Sequence, residues 1–188
     1  MPSRSTRTIL LETAAQLFQE HGYSATGLNL ILSESGTPKG SLYFHFPGGK
    51  EQLAAESVGL VAERMCEALR ALLEAAPDPA TGVNGLVTLL AQQLVDSDYR
   101  YGCPVSAFVV GSERGGLAEK VSGAFESWET LIADRLVRHG FPRKRAAELA
   151  TFALSAVEGA VMLSKAHRDI TPLKRVAREL APLLSRKP

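Results

Sequence analysis

The chain reads as an all-α protein of about nine helices. Apolar residues recur three and four positions apart through almost its whole length. Strand-like alternation of apolar and polar residues survives nowhere, and Val105–Val110 is the one ambiguous segment. Glycine, proline and short polar clusters punctuate the chain at helix-length intervals. With 188 residues and 45% hydrophobic content, it can bury a substantial core in one or two domains.

The elements follow in order. Ile9, Leu10, Ala14, Leu17 and Phe18 stripe a first helix that stops near His21-Gly22. Thr26 is a good N-cap for a second helix, which carries Leu28, Ile31 and Leu32 on one face. Gly36 permits a tight turn. Thr37 then caps a third helix with Pro38 at its first position, where a missing N–H costs nothing. A long helix follows Lys50, with Leu53, Val58, Met65, Leu69 and Leu72 on one face, and Ala76-Pro-Asp-Pro79 breaks it. Val83, Leu86, Val87, Leu90 and Leu94 mark the next, ending at Asp96-Ser-Asp98. Residues 99–104 are irregular, and Gly111 to Gly116 interrupts the short apolar segment after them. Further helices are expected from about Leu117 to Arg138, from Arg143 to His167, and from Thr171 with Leu173, Val176, Leu180 and Leu183.

Residues 26–50 carry the most chemistry. Two short helices joined by a tight turn have the form of a helix-turn-helix. The second is too polar and aromatic to be core: only Leu42 and Phe46 point clearly inward, leaving Lys39, Gly40, Ser41, Tyr43, Phe44 and His45 for a DNA groove. Gly40 lets the backbone come close to a partner. Ser41 and Tyr43 offer hydroxyls to phosphate oxygens, and Lys39 offers a cation to phosphate or a guanine edge. Lys50 opens the next helix, whose N-terminal N–H groups add to an anion site. The alternative is an ordinary surface αα-hairpin, but too many positions agree for that. The predicted DNA-contacting set is Thr26, Thr37, Lys39, Gly40, Ser41, Tyr43, Phe44, His45 and Lys50.

Residues 7–58 resemble the DNA-binding domain of TetR-family transcriptional regulators. Ala14-Ala-Gln-Leu-Phe18 and His21-Gly-Tyr-Ser-Ala-Thr26 are similar to that family's first helix and the entry to its second. Lys39-Gly-Ser-Leu-Tyr-Phe-His-Phe46 resembles its recognition helix. Thr37-Pro38 replaces the commoner Val-Ser/Ala, Leu32 and Ser35 stand where alanine is frequent, and Phe46-Pro-Gly-Gly-Lys50 is one residue longer than usual. The longer form, with Gly102-Cys-Pro104, resembles the LmrA/YxaF-type branch. The resemblance implies a helix-turn-helix domain over residues 1–50 and a helical effector-binding and dimerisation domain over 51–188. By helix order it also implies a dimer interface of Ala156, Gly159, Ala160, Leu163 and Leu180. Intrachain packing is the simpler reading of these small residues, although a helix-turn-helix this small usually reads DNA as a symmetric dimer.

In the second half, Phe108, Phe125, Trp128, Phe152 and Met162 suit a pocket for a small hydrophobic or aromatic effector, although an aromatic at helical spacing is more often plain core. Glu158, inside an apolar helix, reads equally as a polar ligand or interface contact and as a hydrogen-bonded register residue. Cys103 lacks a neighbouring base by spacing and reads as structural.

Net charge is only +1, so DNA affinity needs a local arrangement of cations instead of a global field. Through residue 50, Arg4, Arg7, Lys39 and Lys50 oppose Glu12, Glu20 and Glu34. Arg4 and Arg7 sit in a polar arm that could reach phosphates. No cofactor, metal-ligand spacing or phosphate loop is present, and two cysteines make neither a disulfide framework nor a metal finger. No apolar run reaches membrane-span length and no signal peptide opens the chain, which predicts a soluble cytoplasmic protein. The expectation is a homodimeric repressor released from palindromic double-stranded operator DNA by an apolar ligand. Two alternatives stay open: a helical small-molecule-binding protein or enzyme without DNA function, and an effector-independent activator.

Overall fold

The computed structural model describes residues 5–110 and 115–185. Among them are eight α-helices and one 3-10 turn, with no strand. The helices are α1 (Thr6–His21), α2 (Leu28–Ser35), α3 (Lys39–His45), α4 (Gly49–Ala75), α5 (Pro79–Asp96), α6 (Gly116–Arg138), α7 (Arg143–His167) and α8 (Thr171–Ser185). The ambiguous segment resolves as the 3-10 turn, Ser106–Phe108. Arg4 and the stretch 111–114 of the expected Gly111–Gly116 interruption lie outside the described residues.

Chain contacts divide the protein into two compact units. The first takes in residues through Glu63 together with Pro104–Ala124, and the second takes in Arg64–Cys103 and Phe125 onward. Both α4 and α6 contribute residues to each.

In the first unit, Ser5 caps α1 by accepting from the Thr8 N–H at 3.2 Å, and Gly22 ends it at φ +83°. Leu10, Phe18, Ile31, Leu42, Phe46, Leu53 and Val58 are fully buried there. Phe18 packs edge-on against Phe108 with ring centroids 5.1 Å apart, and Tyr23 lies 5.7 Å from Phe18. The Tyr23 N–H donates to the Ala107 carbonyl at 3.2 Å, so the 3-10 turn is tied to this aromatic group by backbone as well as rings.

In the second unit, α8 packs extensively on both α5 and α7. Gly82 allows the close approach of α5 to α4, because a Cβ there would lie 2.8 Å from Leu73 Cδ2 and 3.1 Å from its Cα. Arg135 closes the C-terminal end of α4, donating to the carbonyls of Leu73 at 2.9 Å and Ala76 at 3.0 Å. Asp98, Tyr99 and Arg168 all have left-handed backbones, and Arg168 clasps Asp98 through its carboxylate at 2.5 Å and its carbonyl at 3.2 Å. By length and composition α7 is apolar enough to cross a membrane, contrary to the sequence expectation. It is a core helix instead, burying Leu149, Ala153, Leu154, Val157, Ala160 and Val161 inside the unit.

Asp78 caps α5, accepting from the Thr81 N–H at 2.8 Å, and that bond is the first cause holding its carboxyl below the ordinary range. Asp78→Ala should cost about 0.5–2 kcal/mol in chemical denaturation. A lowered carboxyl stabilises the fold above its unfolded-state value. The gap between wild type and variant should therefore be full at neutral pH and close as pH falls through the carboxylate range.

Candidate nucleic-acid interface

The interface is built on α3, which has only seven residues and is too short to persist alone in water. Leu42 and Phe46 bury one face of it. The opposite face leaves Lys39, Gly40, Tyr43 and Phe44 exposed, and Phe44 is 81% accessible. Ser41 and His45 are half-buried at its edges, with the His45 ring edge-on to Phe44 at 4.9 Å. Gly36 turns the chain between α2 and α3 at φ +62°.

Two capping expectations are corrected. Gly27, not Thr26, is the N-cap of α2, and no side chain caps that end. Thr26 is fully buried, its hydroxyl donating to the carbonyls of Gly22 at 2.8 Å and Leu17 at 3.2 Å. Its side chain is therefore withdrawn from any DNA-facing surface. Pro38, not Thr37, is the N-cap of α3. The Thr37 hydroxyl pairs instead with that of Ser35 at 2.7 Å, and Ser35 also bonds the Leu32 carbonyl at 3.3 Å, which braces the turn from within. Thr37 remains half-buried beside the exposed face.

A cleft of about 360 Å³ opens between α2, α3 and the start of α4, lined by Gly27, Asn29, Lys39, Tyr43 and Lys50. Lys50 Nζ stands 4.4 Å from the centroid of the Tyr23 ring, and burial lowers its pKa. Burial, and then the Glu51 carboxylate, push the Tyr23 phenol above its ordinary value. Arg7 is not part of a free arm. It lies in the first turn of α1, ion-paired with Glu56 and 5.2 Å from the Phe46 ring centroid. Asn29, exposed in the first turn of α2, lines this cleft and lies outside the set predicted from sequence.

The second unit gathers only part of the predicted pocket. Trp128 is buried, with Phe125 edge-on to it at 5.4 Å. Phe108 belongs to the aromatic group of the first unit. Phe152 and Met162 are 53% and 68% exposed on α7. A cavity of about 20 Å³ lies instead among Met65, Leu69, Cys103, Trp128, Leu154 and Glu158. Burial raises the Glu158 carboxyl above its usual range, opposed by a hydrogen bond with Cys103. Of the predicted dimer contacts, Ala160 and Leu180 are buried within the chain. Ala156 and Gly159 are half-buried, and Leu163 is 52% exposed.

A short helix held by two apolar residues, with its polar and aromatic face turned outward across a left-handed turn, defines a helix-turn-helix regulator. Residues 10–56 match the family described as bacterial regulatory proteins, tetR family, and residues 79–179 match the LmrA/YxaF-like transcriptional regulator C-terminal domain. The chain is 38% identical to the HTH-type transcriptional regulator YxaF of Bacillus subtilis, covering 100% of this chain and 99% of that one. It is 36% identical to LmrA of the same organism, over 96% and 97%. A TetR regulator from Legionella pneumophila superimposes with a TM-score of 0.88 at 20% identity, covering 98% of this chain and all of that one. The chain belongs to the TetR family of DNA-binding transcriptional regulators and is not an enzyme. A cysteine mutant of the TetR-family regulator CifR, solved with 26-base-pair operator DNA, shares the fold at a TM-score of 0.73 and 23% identity, over 95% of each chain.

A Cβ added to Gly40 would meet nothing within 4 Å, so nothing inside the chain requires glycine there. Gly40→Ala should therefore leave the fold intact or stabilise it by up to about 1 kcal/mol. It should nonetheless weaken operator binding in an electrophoretic shift, by holding the backbone away from DNA. An unchanged shift would mean that α3 does not approach the duplex closely.

Proposed function

We propose that the protein is a homodimeric, cytoplasmic repressor released from a palindromic operator by a small apolar effector. The DNA-contacting part is assigned to residues 1–50, and effector binding and dimerisation to residues 51–188. The observation that carries the DNA assignment is the outward face of α3. Lys39 is assigned to phosphate or a guanine edge, Tyr43 to phosphate and Phe44 to a thymine methyl, and the exposure of all three supports the assignment. Ser41, His45 and Lys50 flank this set, with Asn29 added from α2.

The dimer reading is supported by an apolar stripe that the chain leaves uncovered. Phe152, Ala156, Gly159, Met162 and Leu163 follow helical spacing along one side of α7. Beside it a groove of about 490 Å³ runs between α7 and α8. A two-fold pairing there would present two copies of α3 to successive major grooves. The effector reading is supported by the cavity in the second unit, which is almost wholly apolar and contains the single tryptophan. Such a ligand releases DNA only if it binds the DNA-incompetent state more tightly. The effector-independent activator shares the same α3 face, and a ligand that abolishes the shift separates the two.

Lys39→Ala should weaken operator binding and, if Lys39 meets phosphate, reduce the salt slope by about 0.9. Equal binding at several salt concentrations would move the recognition surface elsewhere. For assembly, a Cβ on Gly159 also meets nothing within 4 Å inside the chain, so Gly159→Trp should keep each subunit folded. Sedimentation should find wild type dimeric at micromolar concentration and the variant shifted towards monomer. A monomeric wild type overturns the dimer.

A further inference from the structure

We propose that the cavity of the second unit selects effectors carrying a protonated nitrogen: an apolar, ring-bearing ammonium whose charged head docks against Glu158. This inference rests on the reading of that cavity as the effector site. Its ten lining residues are eight apolar or thioether side chains, the Cys103 thiol and the Glu158 carboxyl. One acid therefore faces the space and no base does. A carboxyl among Leu69, Leu86, Leu90, Ile132, Leu154 and Val157 loses most of its water without gaining a counter-ion, and its raised pKa reports the same shortage. The Cys103 hydrogen bond supplies one polar partner but no positive charge.

An ammonium would supply that charge, and the carboxylate would accept its N–H. Trp128 adds an aromatic ring in the same lining, which favours a cation over a neutral head. At about 20 Å³ the space has room for a group the size of one water, which fits a small charged head. The apolar remainder of the ligand needs side chains to yield. Met65, half-buried in the wall and unbranched, is the side chain built to do so.

The test uses the full-length protein, its Trp128 emission and operator release, with three probes of one shape. These are para-butylbenzylammonium, para-butylbenzyl alcohol and para-butylbenzoate at neutral pH. Wild type should bind the ammonium about tenfold more tightly than the alcohol, and the benzoate least. Glu158→Gln, which keeps shape and hydrogen bonding, should abolish that preference while leaving alcohol binding and the thermal midpoint near wild type. Should Glu158→Gln fail to fold, Glu158→Leu, apolar like the surrounding lining, replaces it with the same expectation. Equal or tighter binding of the alcohol by wild type overturns the cation class but keeps the cavity as an effector site. So does an ammonium preference that survives removal of the carboxyl. If none of the three probes alters Trp128 emission up to millimolar concentration, the effector cavity itself is refuted and the cation class with it.

Discussion

The burial of Leu42 and Phe46 is the constraint on which the helix-turn-helix depends. Seven residues make too few internal hydrogen bonds to offset the cost of nucleating a helix, so α3 exists only because its inner face is held. Both residues are fully buried, and the Arg7 guanidinium stands over the Phe46 ring while pairing with Glu56 of α4. Anchoring two positions a turn apart fixes the rotation of the whole helix. Lys39, Gly40, Tyr43 and Phe44 stay exposed, and their direction follows from what Leu42 and Phe46 do.

The second unit resolves a different conflict. In α7 a single helix must serve as core while leaving an apolar side bare. Small residues make this possible, because Ala146, Ala150, Ala153 and Ala160 let neighbouring helices approach on its buried faces. The larger Phe152, Met162 and Leu163 stand on the side the chain does not cover. A helix so apolar overall passes a compositional test for a membrane span, and the buried half of its surface explains why.

Much of this was legible in the sequence wherever a stop signal was strong. The bounds of α7 follow from Gly140 and Pro142 before it, and α5 begins at the Asp78-Pro79 pair. Short-range rules failed where a longer-range demand overrode them. Thr26 has the chemistry of a cap, but burial claims its hydroxyl for Gly22 and Leu17. Phe108 is expected in a pocket with Phe125 and Trp128, yet its partners Phe18 and Tyr23 are more than eighty positions away. Phe152 and Met162 suit a pocket by residue type, but α7 is apolar on several sides, and a pattern without a polar face does not say which side is core.

The left-handed pair Asp98–Tyr99 bears on how this chain can change over generations. Aspartate tolerates that conformation, whereas tyrosine is strained in it by roughly 1–2 kcal/mol. Arg168 offsets the strain, binding Asp98 at two points and lying 5.5 Å from the Tyr99 ring centroid. The order of substitutions then matters. Replacing Tyr99 by glycine first relieves the backbone and leaves Arg168 both of its bonds to Asp98. Losing Arg168 first strands a strained turn without its clasp, just ahead of Cys103. The two routes reach the same double variant through intermediates of unequal stability, so the cost of losing Arg168 depends on the residue at position 99.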